Sequence, residues 1–165
     1  SGILPDVLKK DLNIVFCGTA AGTASAKAKA YYAGPGNRFW VTLYRVGLTP
    51  IRIQPAQFQR VLEYSIGLTD IAKNVSGADK ILRSDDFDAE LLRRKIDRYR
   101  PRVVAFTSKR AAKAFFEVNS VQYGKQPVRV GKTTLFVLPS TSGAARGFWD
   151  ESPWHQLAIH VAELT

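Results

Sequence analysis

Four short apolar runs, each closed by a loop of small or polar residues, constrain this chain more than any other feature. They are Asn13-Ile14-Val15-Phe16-Cys17 before Gly18, Ile66-Gly67-Leu68-Thr69, Val103-Val104-Ala105-Phe106-Thr107, and Thr134-Leu135-Phe136-Val137-Leu138 before Pro139. None alternates apolar with polar residues, so each reads as a strand covered on both faces, as in parallel sheets. Between them lie stretches of helical character. Arg38 to Gly47 carries Phe39, Trp40, Leu43, Tyr44 and Val46, and Pro55 to Leu62 has proline in its first turn. Asp85 to Tyr99 shows an apolar stripe of Phe87, Leu91, Leu92, Ile96 and Tyr99. Its acidic residues lie early and its basic residues late, so Arg93, Arg94, Lys95 and Arg98 are expected to form a solvated helix face. Lys109 to Phe116 and Pro153 to Leu164 complete the helices. This alternation predicts a three-layer α/β/α sandwich around a central, mostly parallel four-stranded sheet. At 165 residues the chain reads as a single domain, 1–165, with Ser1-Gly2 as the scar of a removed tag.

Sheets of this kind bind ligands outside the carboxyl ends of their strands. The loops after Cys17, Thr69, Thr107 and Leu138 are therefore expected to converge on one site. The first, Gly18-Thr19-Ala20-Ala21-Gly22, lets a ligand approach the backbone closely and leaves amide N–H groups to donate. It has neither the dinucleotide pattern G-x-G-x-x-G nor the Lys-Ser/Thr pair of a phosphate-binding loop. The fourth, Pro139-Ser140-Thr141-Ser142-Gly143-Ala144-Ala145-Arg146, offers hydroxyls and amides for phosphate oxygens, and Arg146 can pair with a phosphate or enter a groove. Taken alone, each is also an ordinary surface turn.

Charge narrows the partners. Lys plus Arg is 24 against 14 Asp plus Glu, a net charge of +10, which favours a polyanion: nucleic acid or an anionic membrane surface. A basic but inert surface is the alternative. Cys17 is the single cysteine, so no internal disulfide forms and a reducing compartment fits. His155 and His160 are the only histidines, and with a single cysteine they make no recognisable zinc site. No run approaches the roughly 20 apolar residues that span a bilayer, and no secretory leader is visible. A cytoplasmic or nuclear protein, neither secreted nor membrane-bound, is the expectation.

In order and surroundings, the loops resemble the mismatch-specific uracil/thymine-DNA glycosylase branch of the uracil-DNA glycosylase superfamily. The resemblance starts with Val15-Phe16-Cys17-Gly18 and the turn to Gly22, where the family has Gly-Ile-Asn-Pro-Gly. It runs through Pro35-Gly36-Asn37-Arg38-Phe39-Trp40, the family's Pro-x-Asn-Arg-Phe-Trp segment. It continues in Gly67-Leu68-Thr69-Asp70, in Ser108-Lys109 after a strand, and in Leu138-Pro139-Ser140-Thr141-Ser142-Gly143, the second catalytic motif. These segments are spread over residues 14 to 146, nearly the whole chain.

The resemblance implies a monomeric enzyme that flips a uracil or related deaminated or damaged base out of DNA and hydrolyses its N-glycosidic bond without a metal or organic cofactor, initiating base excision repair. It places Tyr32 against the extruded base and Gly18, Thr19, Ala20, Ala21 and Gly22 along the pocket. It sets Ser140 against the base or its 3′ phosphate, and Lys109, Ser142 and Gly143 toward the backbone. Departures from the family pattern matter as much. Ala20 stands where the family's asparagine positions the attacking water, and Ala144 and Ala145 stand where relatives carry larger wedge residues, leaving Arg146 as the wedge candidate. Asp70 falls where relatives read the pyrimidine edge with Asn or Lys. A carboxylate there could accept N3–H of uracil or N1–H of hypoxanthine, favour a cationic sugar, or activate water. Asp70 and Ser140 are thus the expected catalytic residues. A catalytically silent binder of damaged bases is the rival expectation.

Overall fold

The computed structural model describes residues 3–76 and 86–164. Five strands form one sheet in the order β2-β1-β3-β5-β4: β1 (Ile14–Gly18), β2 (Ile66–Asp70), β3 (Val103–Phe106), β4 (Gly124–Val130) and β5 (Thr133–Val137). The four expected strands run parallel, and their residues are buried throughout. The expected four-stranded sheet is corrected to five by β4, which pairs antiparallel with β5 through the tight turn at Gly131. Strand β4 escapes a search for apolar runs because it is an exposed edge, Gly-Lys-Gln-Pro-Val-Arg-Val. Its register shifts between Lys125 and Arg129, around Pro127, which has no N–H for the ladder.

Helices cover both faces. Phe39, Trp40 and Leu43 of α2 (Phe39–Arg45) and Trp154 and Leu157 of α5 (Ser152–Ala162) pack on Ile14 and Phe16 of β1. Leu92 and Ile96 of α3 (Ala89–Tyr99) and Ala111, Ala112 and Phe115 of α4 (Lys109–Phe116) pack on Val15 and Cys17 from the other side. Because β1 alternates faces residue by residue, it belongs to both cores. A short helix α1 (Thr23–Ala28), invisible as an apolar stripe, follows the first loop. Pro55–Tyr64 is helical as expected but of 3-10 type and kinked at Gln57. Asp88 caps α3, its carboxylate accepting from the Leu91 amide at 2.9 Å, while Asp85 lies outside the described residues. On α3, Arg93, Arg94 and Arg98 are exposed as expected, but Lys95 turns inward to Asp6 at 2.6 Å.

The glycine within β2 has a packing reason. The segment before β1 crosses this edge, with Val7 N–H donating to Leu68 O at 2.9 Å and Leu68 N–H to Val7 O at 2.8 Å. A Cβ on Gly67 would sit 2.6 Å from Val7 O and 2.8 Å from Leu12 Cδ1. Backbone hydrogen-bonded in both directions cannot yield cheaply. Gly67→Ala should therefore lose about 1–3 kcal/mol of stability, read as a lower denaturant midpoint at unchanged m-value; an unchanged midpoint would mean that Val7 moves aside freely.

Candidate active site

Parallel registry brings four strand ends to one side of the sheet. Gly18 pairs with Asp70, Cys17 with Phe106, and Phe106 with Val137. The pairing of β1 with β2 continues past the strands, with Ile71 N–H donating to Gly18 O at 2.9 Å and Ala72 N–H to Thr19 O at 2.7 Å. The first loop is thereby tied to the backbone that follows Asp70. Between these ends opens a cavity of about 550 Å³, within the range of small-ligand sites.

Its floor is Gly18, where three oxygens converge. A Cβ at this position would lie 2.7 Å from Asp70 Oδ1, 3.2 Å from the Tyr32 hydroxyl and 3.4 Å from Thr107 Oγ1. Glycine lets the carboxylate come this close. Asp70 is 6% exposed, buried at the carboxyl end of β2. The Tyr32 and Thr107 hydroxyls are 3.1 Å apart, and Thr107 Oγ1 reaches Cys17 O at 3.5 Å. Burial, and then the charge of Asp70, push the Tyr32 phenol well above its ordinary value, so it stays protonated and able to donate. The same two causes raise the buried Cys17 thiol, which makes it a poor nucleophile at neutral pH. One carboxylate and two neutral hydroxyls thus line the floor.

The Pro35 to Trp40 segment builds the wall beside them. Asn37 Oδ1 accepts from the Phe39 amide at 2.9 Å, and Asn37 lines the cavity just ahead of α2. Arg38 N–H donates to Thr141 O at 3.0 Å, and its guanidinium lies 4.9 Å from the Trp149 ring centroid. Phe39 stacks on Tyr32 with centroids 3.8 Å apart and planes at 14°. Trp40 Nε1–H donates to Tyr31 O at 3.0 Å. Tyr32 itself adopts φ 52°, a left-handed conformation that a tyrosine keeps only when its surroundings enforce it. On the far side, a Cβ on Gly143 would meet Pro35 O at 3.2 Å, so the second motif loop rests directly on this segment.

Of the residues singled out from sequence, Gly18, Thr19, Ala20, Ala21, Gly22, Tyr32, Asp70, Ser140 and Ser142 all line the one cavity. Ser140 Oγ accepts from the Ser142 amide at 3.2 Å, which leaves its own hydroxyl proton to donate; Ser142 Oγ accepts from the Ala144 amide at 3.2 Å. Gly143, Lys109 and Arg146 are not wall residues. Gly143 sits behind the rim, and Lys109 begins α4 with its ammonium 4.4 Å from the Tyr123 ring centroid. Arg146 is exposed on the 3-10 turn Gly143–Phe148. Thr107, Asn37, Ser108 and Leu4 also line the cavity, although sequence reasoning assigned them no role there. Thr107 could have been found, since it closes an apolar strand whose end was expected at the site. No sequence signal marks Leu4.

Among the described residues no group of three His, Cys, Asp or Glu side chains is placed to hold a metal ion. The family model of the uracil DNA glycosylase superfamily matches residues 5–160. In three dimensions the chain is similar to the solution structure of a Methanosarcina acetivorans protein described as a candidate uracil DNA glycosylase. The TM-score is 0.64 at 22% identity, over 96% of each chain. At that identity the likeness is one of fold.

Proposed function

The chain belongs to the uracil DNA glycosylase superfamily, and we propose that it is a DNA glycosylase excising uracil or a related deaminated base seated in the cavity at the strand ends. The observation that carries this reading is the convergence of the buried Asp70 carboxylate with the Tyr32 and Thr107 hydroxyls at Gly18. In the reaction the C1′–N bond breaks, its electron pair leaves with the base, and the sugar becomes an oxocarbenium-like cation. Water then adds its oxygen to C1′, and the proton it sheds ends on the departing base. Asp70 supplies negative charge beside the sugar or accepts the N–H of the base, the amides of Thr19 and Ala20 and the hydroxyl of Ser140 donate to the anionic base, and the ring of Tyr32 supports the base by stacking. Alanine at position 20 offers no side chain to hold the water, and Asp70 takes over part of that task. Within the superfamily, the Pro35 to Trp40 segment and the Leu138 to Gly143 loop align this chain with the mismatch-specific uracil/thymine branch. Lys109, Ser142 and Gly143 are assigned to the DNA backbone, and Arg146 to the gap left by the flipped base.

Two consequences can be measured. With a net charge of +10, duplex affinity should fall with salt by about 0.9 log units per neutralised phosphate for each tenfold rise in salt, and EDTA should leave turnover intact; salt-insensitive binding or a metal-restored loss would contradict the reading. Tyr32→Phe should retain most activity, since the ring stays stacked on Phe39, whereas Tyr32→Ala should lose on the order of 1–3 kcal/mol of base support. A folded alanine variant with wild-type rates would reduce Tyr32 to a packing residue.

The proposed activity is tested by incubating duplexes carrying uracil, hypoxanthine or xanthine with the protein and breaking abasic sites with alkali. Strand scission on at least one of them is expected. Tight binding of the damaged base without scission would favour the silent binder to which Ala20 points.

A further inference from the structure

One wall of the cavity comes from outside every motif. Leu4, 1% exposed, lines the cavity and packs in the same core cluster as Tyr31 and Ala21. The segment that carries it, Ile3–Val7, is fastened by more bonds than a simple lead-in requires. Ile3 N–H donates to Lys73 O at 2.8 Å, and Val7 pairs in both directions with Leu68. Between them Asp6 forms a pin. Its Oδ1 is 3.1 Å from Lys73 Nζ and accepts from Thr69 Oγ1 at 2.7 Å, while its Oδ2 is 2.6 Å from Lys95 Nζ.

The pin is continuous with the cavity wall. The Lys73 ammonium, its side chain 7% exposed, also donates to the Tyr31 hydroxyl at 3.1 Å. Tyr31 in turn donates to Pro5 O at 3.1 Å, and Tyr31 lines the cavity beside Leu4. Burial works to raise the Asp6 carboxyl, but the Lys95 hydrogen bond and the Lys73 charge outweigh it and hold it below its ordinary value. The pin is therefore ionised at neutral pH. A half-buried carboxylate bridging two lysines, one of them buried, is costly to assemble for local stability alone. Here it holds an apolar side chain at a fixed depth in a pocket that also carries the small residues Ala20, Ala21, Gly22 and Ser25, which leave room beside it.

We infer that Leu4, held by the Asp6–Lys73–Lys95 pin, is a specificity-determining residue that sets how large a base the cavity admits, dividing pyrimidine from purine lesions. This rests on the base-pocket reading above. One methylene more or less against an apolar wall changes discrimination by about 10- to 200-fold, so Leu4 is placed to matter as much as a motif residue.

The test measures affinity for duplexes carrying 2′-fluorinated deoxyuridine or deoxyinosine, which resist cleavage, against an unmodified duplex. Leu4→Trp should weaken the inosine duplex relative to the uridine duplex by about tenfold. Leu4→Ala should move the same ratio the opposite way. Asp6→Asn, which loosens the pin without touching the wall, should shift it in the Leu4→Ala direction. Thermal melting identifies which variants are folded, and Leu4→Ala suffices if the tryptophan is not tolerated. An unchanged ratio in folded Leu4→Ala, with wild type still preferring modified DNA, overturns this inference and leaves the base pocket standing. Wild type that binds both modified duplexes no better than the unmodified one overturns the base pocket and this inference with it.

Discussion

Asp70→Ala protein should bind a uracil-containing duplex nearly as wild type does and cleave it at least about 10²-fold more slowly under single-turnover conditions. The expectation follows from placement. Asp70 is the carboxylate that comes within 2.7 Å of the Gly18 Cβ position, at the floor of the cavity, while Ala20 offers no competing side chain. Asp70→Asn separates the roles. If the carboxylate stabilises the cationic sugar or draws a proton from water, the amide variant is nearly as slow as alanine, because shape without charge does not suffice. If it accepts an N–H of the base, the Asp70→Asn protein keeps its rate on one base and changes its order of preference among the others. Ala20→Asn should then partly rescue Asp70→Ala, since a side chain on the neighbouring loop would hold the water. Full single-turnover activity in folded Asp70→Ala protein would shift the chemistry to Ser140 and the loop amides.

Gly18→Ala should be almost as damaging, for a steric reason. Gly18 is not among the glycines with positive φ, so the added methyl costs little as strand geometry. That methyl would meet Asp70 Oδ1 at 2.7 Å, the Tyr32 hydroxyl at 3.2 Å and Thr107 Oγ1 at 3.4 Å, and the carboxylate must swing away. A drop of about 10² in single-turnover rate is expected with only a modest change in stability. The double variant Gly18→Ala, Asp70→Ala should be no slower than Asp70→Ala alone, because two changes acting through one group are not additive. Additive losses would show that Gly18 acts on something other than the carboxylate.

The parts of the fold legible in the sequence are those where burial is symmetrical. Strands β1, β2, β3 and β5 are covered on both faces, so their apolar character is continuous and their loops could be placed at one end. Strand β4 was not legible, because an edge strand with Lys125, Pro127 and Arg129 presents mostly polar side chains to solvent. Helix α1, Thr-Ala-Ser-Ala-Lys-Ala, has no large apolar residue to mark a period. Lys95 read as a solvated helix residue because its partner, Asp6, lies far away in sequence and meets it only once the sheet edge is formed.

The site divides in the same way. The loop from Gly18 to Gly22, Asp70 and Ser140 belong to motif segments, Tyr32 is placed by the resemblance alone, and all of them line one cavity. Thr107 reaches the site as a hydroxyl pair with Tyr32 across 75 residues, which spacing alone does not disclose. Leu4 is an ordinary leucine until the backbone pairing of Val7 with Leu68 carries it to the pocket.

The most direct test is to follow both products of one duplex containing a single deoxyuridine at once, quantifying free uracil by chromatography and abasic DNA by alkaline scission. Hydrolysis of the N-glycosidic bond predicts one free base for each abasic site in wild type, with the strand unbroken until alkali is added. Binding of the modified duplex with neither product, from uracil and from every other deaminated base tried, would contradict the account.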